Sequence, residues 1–187
     1  MNRSARAPVP FSMTGPTAME QDRSRTITAL FDDLADGVYT LAVRLLRDRH
    51  LAEDVVQETF LAAFRNLGSY RGDGPMAAWI YRIGYRKSIE AHRRRRDEPE
   101  DPAVMARSAA RLAPSAEHEV VRGELIATLD RAIDGLTQPL RAVFVLRDIE
   151  GLSTSEAATA LAVSESAVKM RLLRARKELR KSLQEYL

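Results

Sequence analysis

The chain has 187 residues, of which 45% are hydrophobic, with a formal net charge of +3 and a sequence pI of about 9.4. It contains no cysteine, which excludes a disulfide framework, a thiol nucleophile and a cysteine-ligated metal site. Its three histidines, His50, His92 and His118, are far apart in sequence and lack metal-ligand spacing. No stretch is apolar for long enough to span a membrane. A cytoplasmic protein without cofactor is therefore the default expectation.

The N-terminal segment, residues 1–22, is rich in Pro, Ser, Gly and Thr and lacks the continuous apolar core of a secretory signal. This composition predicts a disordered extension. From about Arg23, apolar residues recur every three or four positions, which predicts an amphipathic helix ending near Arg47. Gly37 lies inside this helix, where glycine lowers helix stability, and packing must offset this loss. The apolar stripe comprises Ile27, Leu30, Phe31, Leu34, Val38, Leu41 and Leu45.

A second helix is predicted from about Leu51 to Leu67, and one of its faces is acidic. Asp54 and Glu58 are stacked one turn apart, a spacing at which like charges are mildly unfavourable within a helix. This acidic face therefore favours binding of a basic partner. A polar face exposed to solvent is the alternative interpretation.

A third helix is predicted from about Met76 to Arg96, after a Gly- and Pro-containing loop at residues 68–75. Aromatic rings and guanidinium groups alternate along it. This combination suits single-stranded nucleic acid, because bases stack on rings while cations hold phosphates. Packing in the core is the alternative for Trp79.

The segment from 97 to 121 is dominated by Glu, Asp, Pro, Ala and Ser and has no apolar stripe. It predicts a flexible acidic linker that separates two small helical domains, 23–96 and 122–187. Two further helices follow the linker, and Pro139 suits the first turn of the second. We expect each helix to turn one apolar face toward the core. On the first helix this face comprises Leu125, Leu129, Ile133 and Leu136, and on the second it comprises Leu140, Val143, Phe144 and Ile149.

The C-terminal stretch predicts two short helices separated by a tight turn. Ser153 and Glu156 form a Ser-x-x-Glu capping box at the start of an Ala-rich helix, and Ser164 offers a second N-cap. The last helix combines an apolar stripe with basic residues on its other faces, which favours a helix-turn-helix lying in a DNA major groove. A solvated basic helix is the alternative. The stripe comprises Val168, Leu172, Ala175 and Leu179.

Three segments in this order resemble the extracytoplasmic-function (ECF) class of bacterial RNA polymerase sigma factors. The first is AEDVVQETF at 52–60, and the second is WIYRI at 79–83, followed by a basic helix end. The third combines GLS at 151–153 and EAA at 156–158 with VKMRLLRAR at 168–176. The resemblance extends over about residues 26–96 and 122–183.

The resemblance implies an all-α chain with sigma domain 2 at 23–96 and sigma domain 4, a helix-turn-helix domain, at 122–187. It implies an alternative sigma factor, not an enzyme, that binds core RNA polymerase, selects promoters and assists melting to initiate transcription. The implied partners are the polymerase beta-prime clamp helices and beta flap, promoter DNA and an anti-sigma factor.

The resemblance also assigns roles to individual residues. Polymerase binding falls to Asp54, Gln57 and Glu58. Contacts to the minus-ten element fall to Tyr70, Arg71, Trp79, Tyr81, Arg82, Arg93 and Arg94, within a basic run that continues to Arg96. For the minus-thirty-five element, Ser164, Glu165, Ser166 and Lys169 would lie near base edges, while Arg171, Arg174 and Arg176 would mainly contact phosphates.

The sequence departs from the family pattern at four positions. Arg86 and Glu90 stand where Asn and Asp are usual, and Ala167 and Met170 stand where Thr and Ser are common. These departures leave the preferences for both promoter elements open.

Two other functions are weighed against an initiation factor. A response-regulator-like repressor or activator would use the helix-turn-helix and dimerise through the first domain, but it needs neither the acidic nor the aromatic-basic helix. A nucleic-acid enzyme would need a metal at Asp54 and Glu58, and two carboxylates without further ligands make a poor site.

Overall fold

The computed structural model describes residues 18–72, 74–97 and 120–184, and all regular structure in these ranges is helical, as predicted. A 3₁₀ turn, Leu67–Ser69, follows α2, and a π-helical turn, Val145–Ile149, follows α5. The α-helices are α1 Ala18–Leu46, α2 Arg49–Asn66, α3 Met76–Asp97, α4 Val120–Gly135, α5 Gln138–Phe144, α6 Thr154–Leu161 and α7 Glu165–Gln184.

The helix boundaries follow the sequence pattern closely, with one clear difference at the start. Helix α1 begins at Ala18 rather than near Arg23, and Glu20 lies in its first turn, where a carboxylate favours the helix dipole. The rest of the predicted disordered extension, residues 1–17, lies outside the described residues. So does most of the predicted linker, residues 98–119.

Helices α1, α2 and α3 pack together as the N-terminal half of the fold. Val38 and Leu41 of α1, Phe60 of α2 and Ile80 of α3 are buried in one cluster. Gly84 lets α3 approach α1 closely, since a Cβ there would lie 3.0 Å from Val38 Cγ1. The predicted apolar stripe of α1 faces this core except at Phe31, which is 43% exposed.

The π-helical turn after α5 changes which side chains face inward. Glu150 N–H donates to Val145 O at 2.9 Å, an i to i−5 bond that widens the helix by one residue. The prediction that Ile149 faces the core is wrong, because the widened turn leaves this side chain 43% exposed. Gly151 then turns the chain with φ of 72°, a conformation that glycine adopts without strain.

The capping box predicted at the start of α6 is confirmed by two reciprocal bonds. Glu156 N–H donates to Ser153 Oγ at 3.2 Å, and Ser153 N–H donates to a Glu156 carboxylate oxygen at 2.7 Å. These bonds hold the pKa of Glu156 below its ordinary range. The second cap is also present, with Ala167 N–H donating to Ser164 Oγ at 3.2 Å. The predicted stripe of α7 supplies its buried residues, Val168, Leu172, Ala175 and Leu179.

The N-terminal and C-terminal halves pack against each other. Helix α3 contacts α6, while α1 contacts α5 and the π turn. Buried residues from both halves, such as Leu41 and Ile80 on one side and Val143 and Leu146 on the other, belong to one cluster. The sequence predicted two domains and gave no indication of this contact.

Arg141 lies at the junction of the two halves, with 6% of its surface exposed. Its guanidinium donates to the carbonyl of Arg44 in α1 at 2.9 Å and to those of Ile133 and Leu136, at the end of α4, at 3.1 and 2.7 Å. A further bond reaches Asp134 O. Carbonyls at a helix C-terminus have no partner within the helix, so one cation satisfies two helix ends.

The Arg141 environment is strongly desolvated. Burial lowers the pKa of its guanidinium, the Arg47 cation acts in the same direction, and Asp134 opposes both. An arginine nevertheless keeps its charge throughout the ordinary pH range. The positive charge at this junction is therefore permanent.

We predict that Arg141→Met lowers the free energy of unfolding by on the order of 3 kcal/mol, because several buried carbonyls lose a charged donor. Chemical denaturation followed by circular dichroism would measure this. Arg180→Met, at an exposed position of α7, is the control and should change stability little. Equal stabilities of the two variants would contradict the role assigned to Arg141.

The capping box gives a pH-dependent prediction. Because the folded-state pKa of Glu156 is lowered, its stabilisation is complete at neutral pH, begins to fall at the ordinary glutamate pKa of about 4, and is lost as pH falls through the lower folded-state pKa. Wild type should therefore unfold at a higher temperature than Glu156→Gln at pH 7, and the difference should shrink as the pH is lowered below the ordinary glutamate pKa. A difference that persists unchanged at pH 3 would show that the carboxylate charge is not responsible.

Candidate nucleic-acid and partner interfaces

The three residues predicted to bind polymerase on α2 differ in their exposure to solvent. Asp54 and Gln57 are exposed to solvent. Glu58 is instead half-buried between α2 and α3, with its carboxylate 3.0 Å from Lys87 Nζ and 3.9 Å from an Arg94 guanidinium nitrogen. Of the three predicted polymerase-binding residues, two are thus available to an external partner, and the third is engaged within the chain.

An apolar groove of about 390 Å³ lies between α1 and α2, and Gln57 is on its edge. Phe31 and Leu61 line the groove while remaining 43% and 55% exposed. The Phe31 ring packs edge-on against the Phe60 ring with centroids 4.9 Å apart. Exposed apolar side chains beside a polar helix face are typical of a protein–protein contact. The sequence pattern assigned Phe31 to the core and did not identify this groove.

The start of α3 and the preceding loop form an aromatic site. The rings of Tyr70 and Trp79 lie 5.5 Å apart at an angle of 50°, and the Tyr70 hydroxyl donates to Gly74 O. Trp79 is only partly buried, so it combines core packing with an accessible edge. Arg71 is exposed in the same loop. Two aromatic faces beside an exposed cation can stack a base and hold its phosphate.

Tyr81 is placed differently from the other predicted minus-ten residues. It is 3% exposed, and its hydroxyl donates to a Glu150 carboxylate oxygen at 2.9 Å. Burial raises the pKa of Tyr81, and its hydrogen bond to the Glu150 carboxylate acts in the same direction. The tyrosine therefore stays protonated and joins the N-terminal half to the C-terminal half.

Further along α3, the predicted cationic contacts are on the surface. Arg82, Arg93 and Arg94 are exposed. Arg94 also reaches Glu58 across the groove between α2 and α3. Burial raises the pKa of Tyr85, and the Arg171 cation from α7 partly offsets this rise.

The N-terminal end of α7 presents the predicted base-edge residues to solvent. Glu165, Ser166 and Lys169 are exposed. Ser164 is exposed as well, but its hydroxyl is occupied as the helix cap and lies 3.0 Å from Ser166 Oγ. This end of a helix is the part that a helix-turn-helix inserts into the major groove.

The three predicted phosphate contacts of α7 differ in their surroundings. Arg174 is exposed, and Arg171 is half-buried. Arg176 forms a bidentate ion pair with the Asp148 carboxylate, with hydrogen bonds of 2.8 and 2.6 Å. This pairing raises the pKa of Arg176. A bidentate pair fixes the guanidinium plane, so Arg176 holds α7 against the π turn. Its planar group is less available to a phosphate than that of Arg174.

Four functional positions escaped the sequence analysis, namely Arg141, Asp148, Glu150 and Leu61. The one available signal was Arg141, a charged residue inside an otherwise apolar segment from Leu140 to Phe144. The others are ordinary polar or apolar residues whose importance depends on distant contacts.

Two negative findings apply to the part of the chain that the structure describes. None of its helices is both long and apolar enough to traverse a bilayer. Within the same residues, no three His, Cys, Asp or Glu side chains are grouped so that they could hold a metal ion. Among these residues, Asp54 and Glu58 therefore have no third side chain beside them that could complete a metal site.

Comparison with protein families gives two matches that fall on the two halves. The family model described as Sigma-70 region 2 matches residues 30–98. The family model described as Sigma-70, region 4, matches residues 126–179. Together they extend over most of the chain.

Curated relatives give the same result. The RNA polymerase sigma-H factor of Pseudomonas aeruginosa is 35% identical over 155 residues, which span 79% of this chain and 80% of that protein. The ECF RNA polymerase sigma factor SigE of Mycolicibacterium smegmatis is 36% identical over 183 residues, 92% of this chain and 69% of that protein.

Solved structures resemble the whole arrangement. CnrH, in complex with the cytosolic domain of CnrY, superposes with a TM-score of 0.65 at 28% identity, over 89% of this chain and 92% of that one. The sigma factor RpoE of Bartonella quintana, in complex with the anti-sigma factor NepR, gives a TM-score of 0.68 at 20% identity, over 86% and 98%. The second similarity shows the fold alone.

The different surroundings of the two arginines predict different effects on duplex DNA binding. Arg174→Ala should weaken binding and lower the slope of log affinity against log salt by about one, because one phosphate contact is lost. Arg176→Ala should mainly lower the thermal unfolding temperature, because it removes the bond to Asp148. Binding titrations at several salt concentrations and thermal melts would measure both. A slope lowered by about one in Arg176→Ala, with unchanged thermal stability, would reverse the assignment.

Proposed function

The chain belongs to the extracytoplasmic-function class of RNA polymerase sigma factors, and we propose on that premise how its surfaces divide the work of initiation. A sigma factor binds core RNA polymerase, directs it to a promoter and so initiates transcription. The observation that carries the proposal is that one chain combines region 2 and region 4, with an acidic helix, an aromatic site and a basic recognition helix all at the surface.

The polymerase-binding surface is proposed to be the outer face of α2 together with the apolar groove beside it. Asp54 and Gln57 supply exposed polar groups, and Phe31 and Leu61 supply exposed apolar area. A partner helix with basic and apolar side chains, as expected of the beta-prime clamp helices, would satisfy both. Glu58 acts within the chain in this proposal, because its ion pairs with Lys87 and Arg94 fix α3 against α2.

The minus-ten surface is proposed to be the Tyr70–Trp79 ring pair with the cations around it. An unstacked base of the non-template strand would pack against these rings, and Arg71 and Arg82 would hold the phosphates beside it. Capture of a flipped base offsets the unstacking cost of a few kcal/mol, so binding favours strand opening. Arg93 and Arg94 extend the positive surface along α3.

The minus-thirty-five surface is proposed to be the exposed N-terminal half of α7. Glu165, Ser166 and Lys169 would face base edges, with Ser164 close by as the helix cap. Arg174 is the best placed phosphate contact, since its side chain is exposed. A glutamate can accept from the cytosine amino group, and a lysine can donate to guanine.

The partners and setting follow from the class. Sigma factors are regulators rather than catalysts, and no reaction is proposed for this chain. It acts in the cell interior, where polymerase and DNA are found, and we place it in the cytoplasm. An anti-sigma factor is a further proposed partner, as the sequence resemblance implies, and CnrH, at 28% identity, is likewise solved with a protein partner, the cytosolic domain of CnrY.

Transcription in vitro with core polymerase on a promoter library tests the function directly. The wild-type chain should give specific initiation that core polymerase alone does not. Asp54→Ala combined with Gln57→Ala should lower core affinity by about tenfold or more, because an interface loses central contacts. Binding of the same variant to duplex DNA should be unchanged.

Asp33→Ala is the matched control, since it removes an exposed carboxylate on α1 that does not line the groove. Equal core affinity of the double variant and this control would refute the docking surface. Duplex binding by the wild type without any polymerase-dependent initiation would instead support the repressor or activator alternative.

A further inference from the structure

Two apolar side chains of the proposed recognition helix have no role in the function described so far. We propose that Met170 and Leu173 of α7 read the 5-methyl groups of thymines in the minus-thirty-five element. The inference rests on the proposed function, because it adds a base preference to the surface that already carries Glu165, Ser166 and Lys169.

The first support is the exposure of the pair. Met170 is 51% exposed and Leu173 is 63% exposed, and the other exposed residues of α7 are all charged or polar. Single exposed apolar residues are common on protein surfaces, but these two lie one helical turn apart and form one patch. The patch contributes little to the core, so it is available to a ligand.

The second support is the position of the pair on the helix. The buried residues of α7 follow spacings of four, three and four, at Val168, Leu172, Ala175 and Leu179. A second set with the same spacings is displaced by two residues and comprises Ser166, Met170, Leu173 and Lys177, all of them exposed. Two residues correspond to about 200° of helical rotation, so this set lies opposite the buried one. Met170 and Leu173 are therefore at the middle of the face that points away from the protein.

The third support is the charge around the pair. Lys169 and Arg174 are exposed on either side of it. The centres of protein–protein interfaces are depleted in lysine, whereas DNA needs cations near its phosphates on both sides of the groove. The pair also lies near the N-terminal end of the helix, the part that a helix-turn-helix inserts into the major groove. An apolar centre with a cationic surround thus fits DNA better than it fits a protein partner.

Thymine is the base that such a patch can distinguish. Its C5-methyl group lies on the floor of the major groove, and apolar side chains read it by direct contact. Residues 170 and 173 are about 4.5 Å apart along the helix axis, which is comparable with the step of about 3.4 Å between bases. The two side chains can therefore reach neighbouring bases. Met170 stands where serine is common in the family, so the preference proposed at this position is particular to this chain.

Replacing thymine by deoxyuridine removes only the methyl group and so isolates the proposed contact. The holoenzyme, formed from the full chain and core polymerase, would first select its sites from a randomised duplex. Each thymine of the upstream selected motif is then replaced in turn by deoxyuridine, and affinity is measured by fluorescence anisotropy. At least one replacement should weaken binding by about fourfold, the factor that corresponds to one methyl-sized group returned to water.

Two double variants assign the effect to these side chains. In Met170→Ala with Leu173→Ala, the thymine and deoxyuridine duplexes should bind equally, because the partner of the methyl group is gone. Alanine favours helix and both positions are exposed, so the variant should fold, which circular dichroism checks. Met170→Leu with Leu173→Met keeps two apolar side chains of similar volume and should retain the preference for thymine over deoxyuridine.

Two controls separate methyl readout from other losses of affinity. Arg174→Ala should weaken binding to both duplexes and leave their affinity ratio unchanged, because a phosphate contact carries no base information. Leu129→Ala removes a leucine of α4 that is 39% exposed, and it should also leave the ratio unchanged.

Three outcomes count against the proposal in different ways. An upstream motif without thymine, or deoxyuridine duplexes that bind as tightly as thymine duplexes, would overturn the inference and leave the proposed function intact. A preference for thymine that persists in Met170→Ala with Leu173→Ala would overturn the assignment to these residues. Selection of no sequence by the holoenzyme would instead defeat the proposed function on which the inference rests.

Discussion

The arrangement of the two halves depends on one buried cation. Arg141 satisfies carbonyls at the ends of α1 and α4 at the same time, and no neutral side chain could supply as many donors in one plane. Burying a charge is costly unless it is hydrogen-bonded, and here four bonds to backbone carbonyls from both halves offset that cost. Its bond to the Arg44 carbonyl joins the two halves, while its other bonds are to carbonyls at the end of α4.

The apparent defect at Gly37 is explained by contacts that are distant in sequence. A glycine in a helix interior costs about 1 kcal/mol relative to alanine, and local propensity alone argues against it. The Tyr81 hydroxyl and the Glu150 carboxylate occupy the space that a side chain would fill. The Tyr81 hydroxyl is buried and donates to the Glu150 carboxylate, which is why the pKa of Tyr81 is raised. The glycine lowers local helix stability but leaves room for a specific hydrogen bond between the halves.

Features set by neighbouring residues were predictable, and features set by distant residues were not. The capping box at Ser153 and the stripe from Val168 to Leu179 follow from periodicity and short-range hydrogen bonding, and the structure reproduces both. The π turn that exposes Ile149 depends on how α5 packs, so its sequence looks like ordinary helix. The pairing of Glu58 with Lys87 and the burial of Tyr81 depend on residues far along the chain. A face of a helix is readable from sequence, but what covers that face is not.

Helix α6 contributes mostly small side chains to the junction of the two halves. Its buried residues are Ala157, Ala158, Ala160 and Leu161, so this helix contributes mostly methyl groups to the junction. Burial stabilises by about 25 cal/mol for each Å² of apolar surface, and an alanine offers little surface. Small side chains also let α6 approach α3 closely, so polar groups such as Tyr81 and Glu150 come within bonding distance. The junction thus gains its specificity from a few directed hydrogen bonds, while its apolar part at α6 stays modest. The rest of the junction is apolar, because Leu41, Ile80, Val143 and Leu146 from the two halves are fully buried in one cluster, so separating the halves would expose large apolar side chains.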